Sequence, residues 1–253
     1  GKRLLSSSWD GTIRLYNTGD ATPTRILRLP EGRVLQASFA PDGRRIAAAY
    51  SKKLVALWDV QSGVLIQRIP TRRMPMGVSF LPSGKELIYG GDRGMLRRYS
   101  LKDGADVRVG PGEKHHILQF FITRDGKFLY YSGAGKETVL VSLSTNKVVR
   151  RFRGHRGSVT EAALSPDGKL LASVASGRSL ALYRVRDGEL VAMLRGKVGG
   201  IVNFDRGGRL LFEYNSRVWF LPLKLELLAL PLEKLISQIS KEAGLTLRRL
   251  YVR

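Results

Sequence analysis

A tetrapeptide similar to Ser-Pro-Asp-Gly recurs along this chain at a nearly constant spacing of 40 to 42 residues. A short apolar run precedes each of its glycines, and further runs follow, as at 170–175, 180–185 and 190–194. Such a period indicates a repeat protein whose unit is four short strands. Because one small sheet exposes too much apolar surface to be stable, the units must stack on one another. The glycines are Gly43, Gly84, Gly126, Gly168 and Gly208.

The repeat predicts an all-β fold, a β-propeller of four-stranded blades with about six blades visible, followed by a short C-terminal helix. The propeller domain is expected over 1–230 and the helix and tail over 231–253. The predicted blades lie near 1–30, 33–70, 76–110, 116–153, 158–195 and 200–230.

The first blade is expected to lack its innermost strand, because counting back 42 residues from Gly43 reaches Gly1. Two explanations fit: the chain is the C-terminal part of a longer protein, or Leu245 to Val252 returns to complete the blade and close the ring. The abrupt start without a methionine favours the first. The unpaired edges of an open propeller favour the second.

The tail has a helical rather than a strand pattern. Its apolar stripe begins after Pro231 and ends at Gly244, which predicts an amphipathic helix that must dock on something. The propeller rim is the expected dock, and a partner or an upstream domain is the alternative. The stripe consists of Leu232, Leu235, Ile236, Ile239 and Ala243.

The best-preserved unit begins with Gly154-His155, continues to the turn Ser165-Pro166-Asp167-Gly168, and then enters a Leu-Ala-Ser strand that ends at Ser173. A second unit ends its third strand in Trp58-Asp59. These features resemble the WD-repeat β-propeller family over roughly residues 1–230. The resemblance implies a non-catalytic platform whose loops hold peptides and other domains.

Family members link a His, a Ser or Thr, a Trp and an Asp within one blade, and no blade here carries all four. Blade stability is therefore expected to rest on apolar packing between sheets. His155, at the family's structural position, should bond Ser173 or a backbone group. Asp42, Asp125 and Asp167 should accept local backbone amides in their turns.

Charge is the strongest compositional signal: 43 Lys and Arg face 21 Asp and Glu, a net charge of +22. An acidic partner is therefore expected. Without cysteine the chain has no disulfide, thiolate metal site or thiol nucleophile. No apolar run is long enough to span a membrane, so we expect a cytoplasmic protein.

The loops of a propeller sort by face, and the two faces differ in charge. The turns that hold the glycines and the links between third and fourth strands are nearly balanced. The loops that enter the innermost strand or join the second strand to the third are strongly basic. The predicted partner-binding residues on this second face are Lys52, Lys53, Arg72, Arg73, Arg93, Lys114, Lys136, Arg156, Arg178, Lys197 and Arg217.

Little in the sequence indicates catalysis. His115 and His116 are adjacent and cannot form a helical pair of metal ligands, so a solvated turn is the better interpretation than a metal or phosphate site. We expect no catalytic residue, no cofactor, no metal and no small-molecule substrate.

The predicted function is therefore recognition or scaffolding: the basic loops bind an acidic protein segment or another domain of the same assembly. Nucleic acid is the alternative, although aromatic side chains that would stack on bases are sparse, Trp9 being the clear loop example. A regulatory sensor of an attached effector is a third possibility. No membrane partner is expected.

Overall fold

A computed structural model of the chain describes residues 3–19 and 22–222. These residues form twenty-two strands and a short 3-10 turn at Asp92–Gly94, with no α-helix among them. No helix in the described part of the chain is long and apolar enough to cross a membrane. The helix predicted after 231 and the closing strand considered at 245–252 lie outside the described residues.

In every sheet each strand pairs with the next one along the chain. Sheets 1 to 3 are antiparallel. Sheet 1 contains β1 (Arg3–Ser7), β2 (Thr12–Asn17) and β3 (Pro23–Arg28). Sheet 2 contains β4 (Val34–Phe39), β5 (Arg45–Tyr50), β6 (Leu54–Asp59) and β7 (Leu65–Pro70). Sheet 3 contains β8 (Pro75–Phe80), β9 (Glu86–Gly91), β10 (Leu96–Ser100) and β11 (Asp106–Val109).

Three further sheets follow in the same strand order. Sheet 4 contains β12 (Ile117–Ile122), β13 (Phe128–Gly133), β14 (Thr138–Ser142) and β15 (Val148–Phe152). Sheet 5 contains β16 (Val159–Leu164), β17 (Leu170–Ala175), β18 (Ser179–Arg184) and β19 (Leu190–Arg195). Sheet 6 contains β20 (Val198–Phe204), β21 (Arg209–Tyr214) and β22 (Arg217–Pro222).

The all-β prediction with about six blade-like sheets is confirmed, and the first sheet has three strands in the described part of the chain, as the repeat spacing predicts. The chain divides into two compact units, with the division passing through sheet 4. Unit one holds the described residues up to Tyr130 and Val141–Val148. Unit two holds Tyr131–Leu140 and those from Val149 onward.

The recurring glycine reflects a backbone requirement of its turn. All five glycines have positive φ, a region that side chains disfavour. An added Cβ at Gly43 or Gly168 would meet nothing within 4 Å, so the dihedral angle and not space selects glycine there. The φ angles are 67° at Gly43, 66° at Gly84, 70° at Gly126, 73° at Gly168 and 81° at Gly208.

The aspartate before this glycine stabilises the same turn. Oδ1 of Asp42 accepts the backbone N–H of Arg44 at 2.8 Å, and Asp125 and Asp167 accept the equivalent bonds at 3.0 and 3.1 Å. The expected amide bonds are thereby confirmed. The Arg44 amide holds the pKa of the Asp42 carboxyl below its usual value, and the Thr123 hydroxyl, followed by the Lys127 amide, does so for Asp125.

The second and third strands of sheets 2, 4 and 5 are buried on both faces, which is why they read as largely continuous apolar runs. In unit one, Ile13 and Leu27 of sheet 1 share a core cluster with Trp58 of sheet 2. In unit two all six residues of β17 are buried, and Val174 packs in one cluster with Phe212 of sheet 6. Full burial of such a side chain stabilises by about 1.5–3 kcal/mol, against roughly 1 kcal/mol for a hydrogen bond.

Candidate partner-binding surface

Each sheet has two ends that carry different loops. Because consecutive strands are antiparallel, the turn between the second and third strands lies at the end where the chain enters and leaves the sheet. Backbone bonds tie these loops together: the Thr71 N–H donates to the Lys53 carbonyl at 2.8 Å, and the Gly196 N–H to the Arg178 carbonyl at 2.9 Å. We call the end that carries these loops the basic end of a sheet, and we call the opposite end the glycine-turn end.

All eleven predicted residues have exposed side chains. None of them forms a salt bridge with any described residue. Unit one holds Lys52, Lys53, Arg72, Arg73, Arg93 and Lys114, and unit two holds Lys136, Arg156, Arg178, Lys197 and Arg217.

Several arginines elsewhere on the sheets are paired instead. Arg98 makes two bonds to the carboxylate of Glu86, at 2.7 and 2.6 Å. Arg209 donates to Asp205 at 2.6 Å, and Arg184 pairs with Asp187 at 2.7 Å. These arginines differ from the eleven predicted residues, although exposed cations without a salt bridge to a described residue also occur at the glycine-turn ends, as at Arg44 and Lys85.

Four of the eleven residues have left-handed backbone conformations. They occupy the same turn, between the second and third strands, in sheets 2 to 5, where sheet 1 has Gly11 with φ of 85°. The conformation costs a residue with a Cβ about 1–2 kcal/mol. Sequence reasoning missed this conformation, because a lysine or arginine does not reveal the type of turn. The φ angles are 57° at Lys53, 48° at Arg93, 64° at Lys136 and 53° at Arg178.

Unit one contains a cavity of about 630 Å³ at the basic ends of sheets 2 and 3. Four predicted residues line it together with Arg97, although they come from three separate loops and a strand. Asp92 is the carboxylate among its lining residues. The cationic lining is Lys53, Arg72, Arg73, Arg93 and Arg97.

The loops around this cavity are held by backbone contacts. The Thr71 hydroxyl donates to the Arg73 carbonyl at 2.7 Å and is buried. The Gly91 N–H donates to the Met95 carbonyl at 2.8 Å. Gly90, which also lines the cavity, has φ of 130°, and any Cβ there would collide with the Met95 carbonyl oxygen. The lining is thus pre-organised.

One wall of the cavity is an internal ion pair. Nε of Arg97 donates to Oδ2 of Asp106 at 2.8 Å, and the Tyr89 hydroxyl donates to the same oxygen at 3.0 Å. Burial, and then the Asp106 carboxylate, raise the pKa of Tyr89 to about 12, so the phenol stays protonated. Asp106 neutralises Arg97, which leaves four unpaired cations facing Asp92.

Lys52 and Lys114 are exposed but do not line this cavity. The Lys52 side chain lies against Gly32 instead. Unit two has a smaller cavity of about 330 Å³, in which Arg178 and Lys197 face the carboxylate of Glu213. Lys136, Arg156 and Arg217 line neither cavity.

Two of the three histidines have defined surroundings. His155 is buried, with Nε2 2.8 Å from Oγ of Ser173 and Nδ1 2.7 Å from Oγ of Ser179, which confirms the predicted bond to Ser173. Burial and the Arg195 charge lower the pKa of His155 to about 4. His116 is exposed, with Nδ1 3.3 Å from Oδ1 of Asp92. The described residues contain no group of three or more His, Asp and Glu arranged to hold a metal.

Sequence reasoning missed a pair of side chains that bridge neighbouring sheets. Oε1 of Gln36 on β4 accepts the N–H of Val78 on β8 at 2.8 Å, and Oε2 of Glu161 on β16 accepts that of Val202 on β20 at 3.1 Å. Both are the third residue of a first strand. The signal available in the sequence was that Gln36 and Glu161 occupy equivalent positions of two repeats and both carry a side-chain oxygen.

Comparison with known proteins matches part of the chain to a repeat family. The family described as WD domain, G-beta repeat, matches residues 1–17 and 146–184, the latter including the His155 bonds and strands β16 to β18. Two segments of the chain match the WD40 repeat. The predicted resemblance to the WD-repeat family is therefore confirmed.

The chain is similar to parts of much longer proteins. It is 36% identical over 70 residues to periodic tryptophan protein 2 of Arabidopsis thaliana, covering 28% of this chain and 8% of that protein. It is 25% identical over 119 residues to transducin beta-like protein 3 of Rattus norvegicus, covering 43% of this chain and 15% of that protein. It is 23% identical over 141 residues to apoptotic protease-activating factor 1 of Rattus norvegicus, covering 52% of this chain and 11% of that protein. The matches thus span a small part of each relative.

Proposed function

We propose that this WD40 chain is a protein-interaction module that binds an acidic protein segment, or an acidic surface of another domain in its assembly, through the basic ends of its sheets. The observation that supports this most is that four of the eleven exposed cations, from three separate loops, line one cavity in which Asp92 is the carboxylate. Cations on pinned loops lose little freedom on binding and steer an oppositely charged partner.

The module acts as a scaffold or as the recognition or sensor part of a larger protein, without a catalytic step of its own. The sealed environment of His155 supports this, because both of its ring nitrogens are engaged by serines. A partner would be selected by charge and by the spacing of the loops.

Nucleic acid is the second candidate, and Trp9 is the observation that favours it. This side chain is 70% exposed at the basic end of sheet 1, and the Arg33 guanidinium lies 4.8 Å from its ring centroid. Exposed aromatic rings beside cations are the platforms on which bases stack.

The test compares labelled oligoglutamate with a single-stranded oligonucleotide of matched length at about 50 and 200 mM salt. Reversing three charges with Lys53→Glu, Arg72→Glu and Arg73→Glu should weaken oligoglutamate binding at least about tenfold. The matched control reverses three exposed charges at glycine-turn ends of unit one, Arg44→Glu, Lys85→Glu and Lys127→Glu. Equal losses in both triples would contradict the proposal. Tighter oligonucleotide binding that Trp9→Ala weakens would establish the second candidate instead.

A further inference from the structure

The cavity of unit one differs from the other basic surfaces in its balance of charge. Four of its cations have no salt bridge to a described residue, whereas its one lining carboxylate, Asp92, lies beside His116. A single carboxylate entering the cavity would leave most of this charge uncompensated. A compact group with two negative charges would compensate more of it.

The same cavity also has apolar walls. Met74 and Met95 line it and are half-buried. Methionine adapts its shape to apolar partners. Tyr89 is 3% exposed and its hydroxyl is bound to Asp106, so its ring cannot serve as an open stacking platform. These walls suit an aliphatic or aromatic side chain better than a nucleobase.

The size of the cavity indicates more than a lone ion. Its volume of about 630 Å³ lies within the range of pockets that enclose drug-sized ligands, roughly 300–1,000 Å³. A linear peptide can fill such a space with two neighbouring side chains. The pinned loops mean that the site exists before the ligand arrives.

We propose that this cavity is the principal recognition site for a linear acidic segment in which a compact dianionic group is followed by an apolar side chain. The dianion contacts Lys53, Arg72, Arg73 and Arg93, and the apolar side chain contacts the two methionines. Two sources supply this chemistry: a phosphorylated residue or a pair of adjacent carboxylates. The inference rests on the proposed function, because it names the segment that the basic ends bind.

The test uses fluorescence polarisation with four labelled peptides in one glycine–serine frame. Their centres are Glu-Glu-Leu, phosphoserine-Leu, phosphoserine-Ser and Ser-Leu. We expect the first or second to bind at least about tenfold more tightly than Ser-Leu. Preference between them identifies the source of the dianion. Phosphoserine-Ser should bind more weakly than phosphoserine-Leu, and Met74→Gln should abolish that difference.

Two adjacent lysines provide a matched pair of variants. Lys53 lines the cavity and Lys52 does not, yet both are exposed. Lys53→Gln should weaken binding of the best peptide about threefold to tenfold, and Lys52→Gln by less than about twofold. A double variant, Arg72→Gln with Arg93→Gln, should remove most of the remaining affinity. Thermal unfolding of each variant verifies that it is folded.

The outcomes separate this inference from the proposed function. If Lys52→Gln and Lys53→Gln weaken peptide binding equally, while the triple reversal Lys53→Glu, Arg72→Glu and Arg73→Glu still removes oligoglutamate binding, the basic ends bind acidic segments without a principal site and the inference is wrong. If neither oligoglutamate nor any peptide binds, both proposals are wrong.

Discussion

At the scale of single residues, the left-handed turns combine a charged side chain that would serve binding with a backbone conformation that lowers stability. Lys53 and Arg93 hold φ angles of 57° and 48° and both line the cavity. Glycine would adopt these angles without strain, as Gly11 does in sheet 1. Strain of this kind often accompanies function.

Lys53→Gly should therefore raise the free energy of unfolding by about 0.5–1 kcal/mol while weakening binding to oligoglutamate. Relief of the left-handed strain gives the first effect, and loss of an unpaired cation gives the second. Urea denaturation and fluorescence polarisation on the same preparation measure both.

Lys52→Gly is the control, because Lys52 does not have a positive φ and gains nothing from glycine. Its stability should fall or stay unchanged. If Lys53→Gly lowers the stability as much as Lys52→Gly does, the turn at Lys53 is not strained.

The cations themselves were predictable from the sequence, since loop position follows from the repeat period. Their grouping was not. Lys52 and Lys53 are identical in type and adjacent, and only the turn geometry sends one toward the cavity and the other over Gly32.

At the scale of strands and sheets, the bridging side chains at Gln36 and Glu161 link one sheet to the next. Gly77 makes room for the first, because a Cβ there would lie 2.5 Å from Oε1 of Gln36 and 2.9 Å from the Phe120 ring. In the second, burial raises the pKa of the Glu161 carboxyl, so its charged form is disfavoured in the folded state.

Glu161→Gln should raise the free energy of unfolding at pH 7 by about 0.5–1 kcal/mol, because the amide keeps an acceptor for the Val202 N–H without a buried charge. A raised carboxyl pKa means that the native state holds its proton more tightly, so this group's contribution to stability falls as pH rises above its ordinary value of 4.5. The advantage of the variant should therefore shrink at pH 4. Denaturation curves at the two pH values measure it.

Glu161→Ala is the matched contrast, because it removes the acceptor and leaves the Val202 N–H unpaired. It should lower stability by about 1–3 kcal/mol at both pH values. Equal effects of Gln and Ala at pH 7 would show that the bond to Val202 contributes nothing.

The strands were predictable from sequence because the turns that end them depend on local features. These are a glycine at positive φ and an aspartate that accepts the backbone amide two residues further along. The bridges of Gln36 and Glu161 join residues 42 and 41 positions apart, so they depend on how sheets stack. No local pattern encodes that contact.

At the scale of the whole molecule, His155 and the turn aspartates favour the folded state at neutral pH. His155 has a folded pKa of about 4 against an ordinary value of 6.5, so the stability it contributes is complete above pH 6.5 and is lost as pH falls toward 4. The turn aspartates, such as Asp42 and Asp125, have lowered pKa values and lose their contribution below their ordinary value of 3.8.

Lowering the pH should therefore reduce the free energy of unfolding in two stages, first through His155 and then through the aspartates. The first stage amounts to about 3 kcal/mol, from 1.36 kcal/mol per pKa unit. Denaturation midpoints recorded from pH 7 to pH 4 measure it, with His155→Gln as the reference that lacks this titration. Parallel pH profiles for the two proteins would exclude the histidine as the cause.

The bonds between loops at the basic ends also bear on how the chain survives proteases. A trypsin-like enzyme cleaves after lysine and arginine by attacking that residue's own carbonyl carbon, and it needs the segment extended in its cleft. The carbonyls of Lys53, Arg178 and Lys197 already accept the amides of Thr71, Gly196 and Asn215, at 2.8, 2.9 and 2.8 Å. Each of these bonds must break before cleavage, so the backbone hydrogen bonds protect these three exposed residues from such an enzyme.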